Sequence, residues 1–581
     1  MSKKNQQRKI DQKANIRNIH GNVYPEWVPP AFPLKVLFVA SFFLSGLFYD
    51  WLSCLVSLYL LIYLFYCFLK GRNLKLMYTP SFFAALVLVI FFGLASFWGI
   101  DRGMAPFGFV KFMPVPLFLL SVFQLKDKSR RSLLELLPHA GAVMTLLSFL
   151  LGLIPFLNSF FFVNNRLGGF MQYPNTFGLF LLLGIAVLVT SEEWSIKKSI
   201  CLLILLGGIL LSGSRTVFVL LIMLAVYCIF RLKDKRIRLT MAIAPILLIA
   251  AAAIYVLITS NTSLISRYLT APLSSSTFLG RLLYFKDVLP VIASHPLGLG
   301  YLGYYFMQGS FQTGVYSVQN IHNELLQVLL DVGWIPAVFL IFATAQGLRC
   351  GDRRSRLLLI LITAHSMFDF DFQFISIAFL FFMVMEPKEM SRCIIIKRKA
   401  LVSGLAVILG CVSLYFGIAS GLYFMGQISK CIALYPGHTN AWIARLTDAE
   451  EPEEMERIAD HILHLNSSVS LAYTAKARAA YAAGDFSSMI TYKQEAIRLS
   501  KYSLEEYLDY FDMLYIGVYL YESNGDSYSA DYCAMALLDI PEMLREVEES
   551  TDSIGWKIYD KPDLTLPVEY QEKLNTLDRE R

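Results

Sequence analysis

LLLILITAHSMFDFDFQFISIAFLFFMVM, residues 357–385, is an apolar run whose two carboxylates, Asp369 and Asp371, sit at its centre. Basic clusters flank it on both sides, Arg349 to Arg356 before it and Lys397-Arg398-Lys399 after it. Lysine and arginine near the ends of membrane spans stay on the cytoplasmic side. A run bounded by such clusters at both ends must therefore cross a bilayer and return. Two carboxylates are costly within hydrocarbon and sensible at an outer turn. The stretch predicts a tight helical hairpin with its tip at Asp369 and Asp371.

The same reading extends over most of the chain. Of its 581 residues 56% are hydrophobic and only 17% charged, against about 25% charged in ordinary soluble proteins. Apolar runs of bilayer-spanning character fall near 32–49, 51–69, 80–98, 108–124, 133–154, 174–190, 198–213, 216–230, 239–259, 323–345 and 400–419. With the hairpin they give an all-α polytopic transmembrane bundle of about 12–13 spans. Connectors rich in Lys and Arg alternate with poor ones near Asp50, 99–107, 155–172, 213–215 and 260–322. The alternation places the N-terminus in the cytoplasm and the poor connectors outside. The expected divisions are a basic cytoplasmic tail at 1–30, a membrane domain at 31–426 with a large outer loop at 260–322, and a polar C-terminal domain at 427–581 lying outside. The net charge of +6 comes from those connectors, so it speaks of topology and not of nucleic acid. The tail has no apolar core close behind its first residues, unlike a cleaved secretory signal. Nine cysteines form no CxxC pair, which predicts neither structural zinc nor a disulfide framework.

Residues 427–550 carry a repeat. Leu434, Leu465 and Leu499 are followed eight residues later by Trp442, Tyr473 and Tyr507. The interval is close to the tetratricopeptide period of about 34 residues, and Gly484-Asp485-Phe486 falls where such repeats turn. Two uses fit: a concave face that binds a partner protein, or a rigid cap packed on the membrane domain.

The informative charges gather on the outer connectors. Arg166 lies in NNRLGGFMQYPN, residues 164–175, an ordered turn before a span. Arg215 lies in the tight turn Ser212-Gly213-Ser214-Arg215, where it either meets a ligand or snorkels to the interface. Arg281 opens an amphipathic stretch that suits a membrane surface; it binds either a ligand or a lipid headgroup. His322, in Gln319-Asn320-Ile321-His322-Asn323-Glu324, stands at the outer mouth of a span, and its ordinary pKa suits it to take a proton from a hydroxyl. The loop before it is rich in tyrosine and phenylalanine, which suit sugar rings and equally a membrane interface. Arginines offer forked donors to phosphate oxygens. Several arginines, a histidine and no metal-ligand cluster together point to transfer of a group from a phosphorylated lipid to a hydroxyl, with no metal and no cofactor.

The ordered set Arg166…Gly169-Phe170…Pro174-Asn175, Ser212-Gly213-Ser214-Arg215, Gly280-Arg281, His295-Pro296-Leu297-Gly298-Leu299-Gly300, His322-Asn323-Glu324-Leu325-Leu326-Gln327 with Gly333, and His365…Asp369 resembles the O-antigen ligase and polymerase superfamily of bacterial membrane glycosyltransferases over about residues 160–386. The resemblance implies an undecaprenyl-diphosphate-linked glycan as donor, in the bacterial cytoplasmic membrane. It implies His322 as the base, Arg215 and Arg281 on the diphosphate, and Arg166 as a further contact, with Asn323, His365 and Asp369 in support. The acceptor, a glycan, a lipid or a protein, stays open, as does a protein partner of the repeat domain. The other classes the residues allow are a lipid-linked sugar transporter and a membrane scaffold acting through its repeats.

Overall fold

The computed structural model describes residues 27–191, 194–231, 275–386 and 393–580, with isolated positions at 239, 243, 246 and 250. Most of the basic tail, most of the span expected at 239–259 and the first part of the outer loop lie outside the described residues.

The protein is an all-α helical bundle, with two short two-stranded ribbons among the described residues. Five of the described helices are long and apolar enough to cross a membrane: Asp50–Gly71, Pro80–Phe97, Ala105–Phe123, Asp127–Gly152 and Lys399–Phe424. Shorter apolar helices fill the middle. Pro174–Val189 and Ile375–Val384 are apolar on all sides and buried almost throughout, as a helix without a polar face must be. Phe42 stacks on Phe180 at 4.3 Å between ring centres, and Phe118 on Phe379 at 4.2 Å.

Contacts sort the connectors to two ends. At one end the ribbon Leu74–Met77 pairs antiparallel with Cys393–Ile396, and Lys75 exchanges hydrogen bonds with the Gln124 side chain. Glu386 there accepts from Thr79 and Ser81, while Arg354 reaches Thr190 and Glu135. These are the connectors rich in Lys and Arg. The poor connectors meet at the other end, around the turn after Phe43, residues 99–105, 162–173, 212–215, 275–323 and 367–374.

The hairpin expected at 357–385 is present as the helices Arg353–Ser366 and Ile375–Val384, which run between these two ends. Its tip is not a solvent-exposed turn. Asp369 is 1% exposed and Asp371 fully buried. Helices of 14 and 10 residues rise only about 21 and 15 Å, well short of a ~30 Å hydrocarbon core. The tip is thus recessed within the bundle, and its carboxylates are tolerated because protein donors satisfy them.

The span expected at 323–345 is broken. Glu324–Val332 and Trp334–Cys350 meet at Gly333, whose φ is +79°. A Cβ there would overlap the Pro296 carbonyl oxygen, so the approach of the His295–Gly300 loop requires glycine.

After Lys399–Phe424 the chain forms a helical domain with its own cores. Leu434, Leu465 and Leu499 each end one helix, and Trp442, Tyr473 and Tyr507 each lie in the next. Gly484-Asp485 forms the expected turn, with φ +75° at Gly484 and the Asp485 carboxylate capping the Ser488 amide. Gly525-Asp526 repeats it, with φ +76° and a cap on Ser529.

This domain is docked on the end of the bundle that carries the poor connectors. The fully buried Asp101 accepts from the Met104 amide at 2.7 Å, the Thr439 hydroxyl at 2.8 Å and the Asn466 amide at 3.0 Å. Asp552 donates its backbone N–H to Thr313 at 2.9 Å and pairs its carboxylate with Lys286. A Cβ on Gly103 would overlap the Gly437 carbonyl, and one on Gly309 the Leu499 carbonyl. Backbones this close leave no room for a sliding contact. Asp101→Ala would leave buried donors on Thr439 and Asn466 unpaired, at about 1–3 kcal/mol for each. The expected result is faster proteolytic cleavage near residues 425–440 in the folded variant; a rate equal to wild type refutes a docking role for Asp101.

Candidate functional site

The site is built from the Tyr173 turn, the Ser276–Ser294 helix, the loop that ends at Asn323 and the hairpin tip. Its centre is Asp369. The Asp369 carboxylate accepts from the Tyr173 hydroxyl at 2.7 Å and from the Asn175 amide at 2.7 Å, and it pairs with the Arg281 guanidinium at 3.5 Å. Asn175 Oδ1 accepts from Arg166 Nη2 at 2.5 Å, and Arg166 Nε donates to the Ser212 carbonyl at 2.8 Å. Arg166 therefore ties the turn that precedes Arg215 to the carboxylate at the hairpin tip. Arg215 itself is half-buried at the start of its helix, after Gly213 in the left-handed region.

His322 stands on the other side of Arg281. Its Nδ1 lies 3.0 Å from the Tyr284 hydroxyl, and its ring meets Phe370 edge to face at 5.0 Å. Arg281 and Tyr284 occupy i and i+3 on one helix, a spacing that puts both on the same face. Asn323 caps the Glu324–Val332 helix through the Leu326 amide and donates to the Met367 carbonyl. Glu324 accepts from the Phe372 amide at 2.5 Å. Both residues tie the histidine loop to the hairpin tip.

The electrostatics follow from this packing. Burial lowers the His322 imidazole to about 4, Asp369 acting against that shift and Arg281 adding to it. The ring is therefore neutral at neutral pH. The charge of the enclosed Asp369 is met by the Arg281 guanidinium, the Tyr173 hydroxyl and the Asn175 amide. Burial opposes charge on Arg281, and Asp369 more than compensates. The buried Arg281 Nε has no hydrogen-bond partner among the described residues.

The structure thus gathers Arg166, Arg281, His322, Asn323 and Asp369 into one connected set. His365 lies behind it, fully buried, with Nδ1 2.7 Å from Asp371 Oδ2. Asp371 also accepts from Ser366 and from Thr176 at the start of the central helix. His365 therefore braces the tip and is closed to any ligand. Sequence reasoning did not single out Tyr173, Asn175, Tyr284 or Glu324 as site residues. The spacing of Arg281 and Tyr284 was the available signal for one of them.

Residues 200–341 match the protein family described as O-antigen ligase. No curated protein matches the chain. The family match takes in Arg215, Arg281 and the run from His322 to Gln327. It stops short of Arg166 on one side and of His365 and Asp369 on the other. Over those residues the chain is similar to the O-antigen ligase family, and the similar stretch supplies both the histidine and the arginine that the geometry puts beside each other.

Proposed function

We propose that the chain is a membrane glycosyltransferase that moves a glycan from an undecaprenyl-diphosphate-linked donor to an acceptor hydroxyl on the outer face of the bacterial cytoplasmic membrane. The observation that carries this reading is a neutral, partly exposed His322 next to a buried Arg281, whose Nε is unpaired among the described residues. A neutral imidazole accepts a proton, and a buried guanidinium with a spare donor suits an anionic leaving group. Nε2 is the nitrogen placed to act as base, which requires that Nδ1 carry its proton and donate to the Tyr284 oxygen.

The acceptor hydroxyl gives its proton to His322 Nε2 as its oxygen attacks the anomeric carbon of the donor sugar. The bond from that carbon to the diphosphate oxygen breaks, and the lipid diphosphate leaves with the electron pair. Arg281, with Arg215 on the neighbouring turn, holds the departing charge without a metal ion. The helical domain at 427–581, read as tetratricopeptide-like, covers the same end of the bundle and is where a glycan, lipid or protein acceptor approaches.

The test is the purified full chain in lipid nanodiscs, supplied with undecaprenyl-diphosphate-linked glycan, an acceptor glycan and a chelator. The expected result is extended glycan and free undecaprenyl diphosphate in equal amounts. Movement of the lipid-linked glycan across the bilayer with no bond broken overturns the proposal in favour of a transporter.

A further inference from the structure

His322 sits in a short loop whose backbone is held from below. The Ile321 amide, one residue before the histidine, donates to Gln327 Oε1 at 2.8 Å. The other end of that side chain, Nε2, donates to Asp331 Oδ1 at 2.9 Å. Ile321 is fully buried, Gln327 is 4% exposed and Asp331 2% exposed. Buried amides of this kind have few alternatives to their bonded geometry, since an unpaired group costs more than the bond itself yields.

The anchor of this chain is rigid. The loop after His295 closes on the end of the Glu324–Val332 helix, with Leu299 donating its N–H to the Leu330 carbonyl and Gly300 to the Asp331 carbonyl. The next residue, Tyr301, donates to Asp50, which pairs with the buried Lys111. The polar path thus runs from the bundle interior through Asp331 and Gln327 to the residue that precedes His322. Ile321 is the member of it that adjoins the histidine in sequence.

We propose that Gln327 is a positioning residue for His322: it reads the fixed Asp331 carboxylate with its N–H and sets the loop backbone with its carbonyl. This rests on the assignment of His322 as the base. An amide is required because one end must accept and the other donate. Glutamate in its place accepts from Ile321 but sets two carboxylates against each other. The defect is reversible, since an asparagine at 331 offers the missing donor.

Gln327→Leu, Gln327→Glu, Gln327→Glu with Asp331→Asn, and His322→Ala are compared in the full-length chain in nanodiscs, using the lipid-linked donor and an acceptor glycan. Displacement of a catalytic group by about 1 Å costs on the order of 100-fold in rate. The expected result is that order of loss in kcat for Gln327→Leu and for Gln327→Glu, with the donor KM within about twofold of wild type, since the diphosphate contacts do not change. The paired substitution is expected to recover most of the rate. A wild-type kcat in Gln327→Leu overturns the inference, as does a paired variant no faster than Gln327→Glu. The second comparison holds even where the leucine variant fails to fold. An active His322→Ala overturns the base assignment instead, so the two failures are distinct.

Discussion

His322→Ala abolishes glycan transfer and leaves the protein in the membrane in normal amount. A positioned general base contributes about 10²–10⁴-fold, and the variant should lose a rate in that range. The side chain makes no contact on which the bundle depends: it meets Tyr284 and Phe370 at the rim of the site and stays partly exposed. Alanine therefore removes the proton acceptor while the Arg281–Asp369 pair stands. The donor KM should hardly move, because the guanidinium contacts remain.

The pH profile carries a second part of the same prediction. The base works only when its ring is neutral. Its pKa in the folded protein is lowered to about 4, so transfer is level through neutral pH and declines only as the pH falls towards 4. An unperturbed imidazole gives that decline near pH 6.5. Asp369 holds the ring's pKa up and Arg281 holds it down, so Asp369→Asn moves the acid limb lower still. An acid limb at pH 6.5 in the wild-type protein refutes the desolvation of the His322 ring, and wild-type turnover in His322→Ala refutes its role.

Local features of the sequence foretold local structure well. The glycines and Pro174 mark real turns, the described Lys and Arg connectors gather at one end, and Gly484-Asp485 forms the turn expected of it. What stayed hidden was pairing between distant parts of the chain. Tyr173 and Asp369 are 196 residues apart and Asp101 and Thr439 are 338 apart; neither periodicity nor spacing reports such a contact. Hydropathy sets the carboxylates of the hairpin tip at an outer turn because it treats charge as a preference for water. It does not register that Arg281, Asn175 and Thr176 arrive from elsewhere to satisfy them. The run at 323–345 was read as one helix for a similar reason. Its polar residues, Asn323, Glu324, Gln327 and Asp331, fall at helical spacing and give no sign of a break, and the break at Gly333 answers to the distant loop packed against it at Pro296 and Leu297. The C-terminal domain was legible in the recurrence of Leu434, Leu465 and Leu499, each of which ends a helix in the structure. Its fixed docking through Asp101 was not, because Asp101 looks like an ordinary loop aspartate until Thr439 and Asn466 are beside it.

Asp369→Ala should be the most destabilising single change at the site. The variant removes the acceptor for Tyr173 and Asn175 and leaves Arg281, 11% exposed, with its charge uncompensated. Breaking one side of a buried ion pair costs about 3–5 kcal/mol. The loss falls on the hairpin tip, so unfolding of the detergent-solubilised protein should begin at a lower temperature and activity should vanish. The change in stability and the change in activity can be separated. Replacing both charges, with Asp369→Leu and Arg281→Met together, removes the buried guanidinium along with its partner, and such exchanges are often neutral or stabilising. The double variant should therefore regain the part of the thermal stability that the stranded guanidinium cost, and not the part due to Tyr173 and Asn175, which still lack their acceptor. It should remain inactive, because the donor's diphosphate has lost its guanidinium. Recovery of activity along with stability would show that Arg281 serves only to neutralise Asp369. A single variant as stable as wild type would show that the pair does not hold the tip in place.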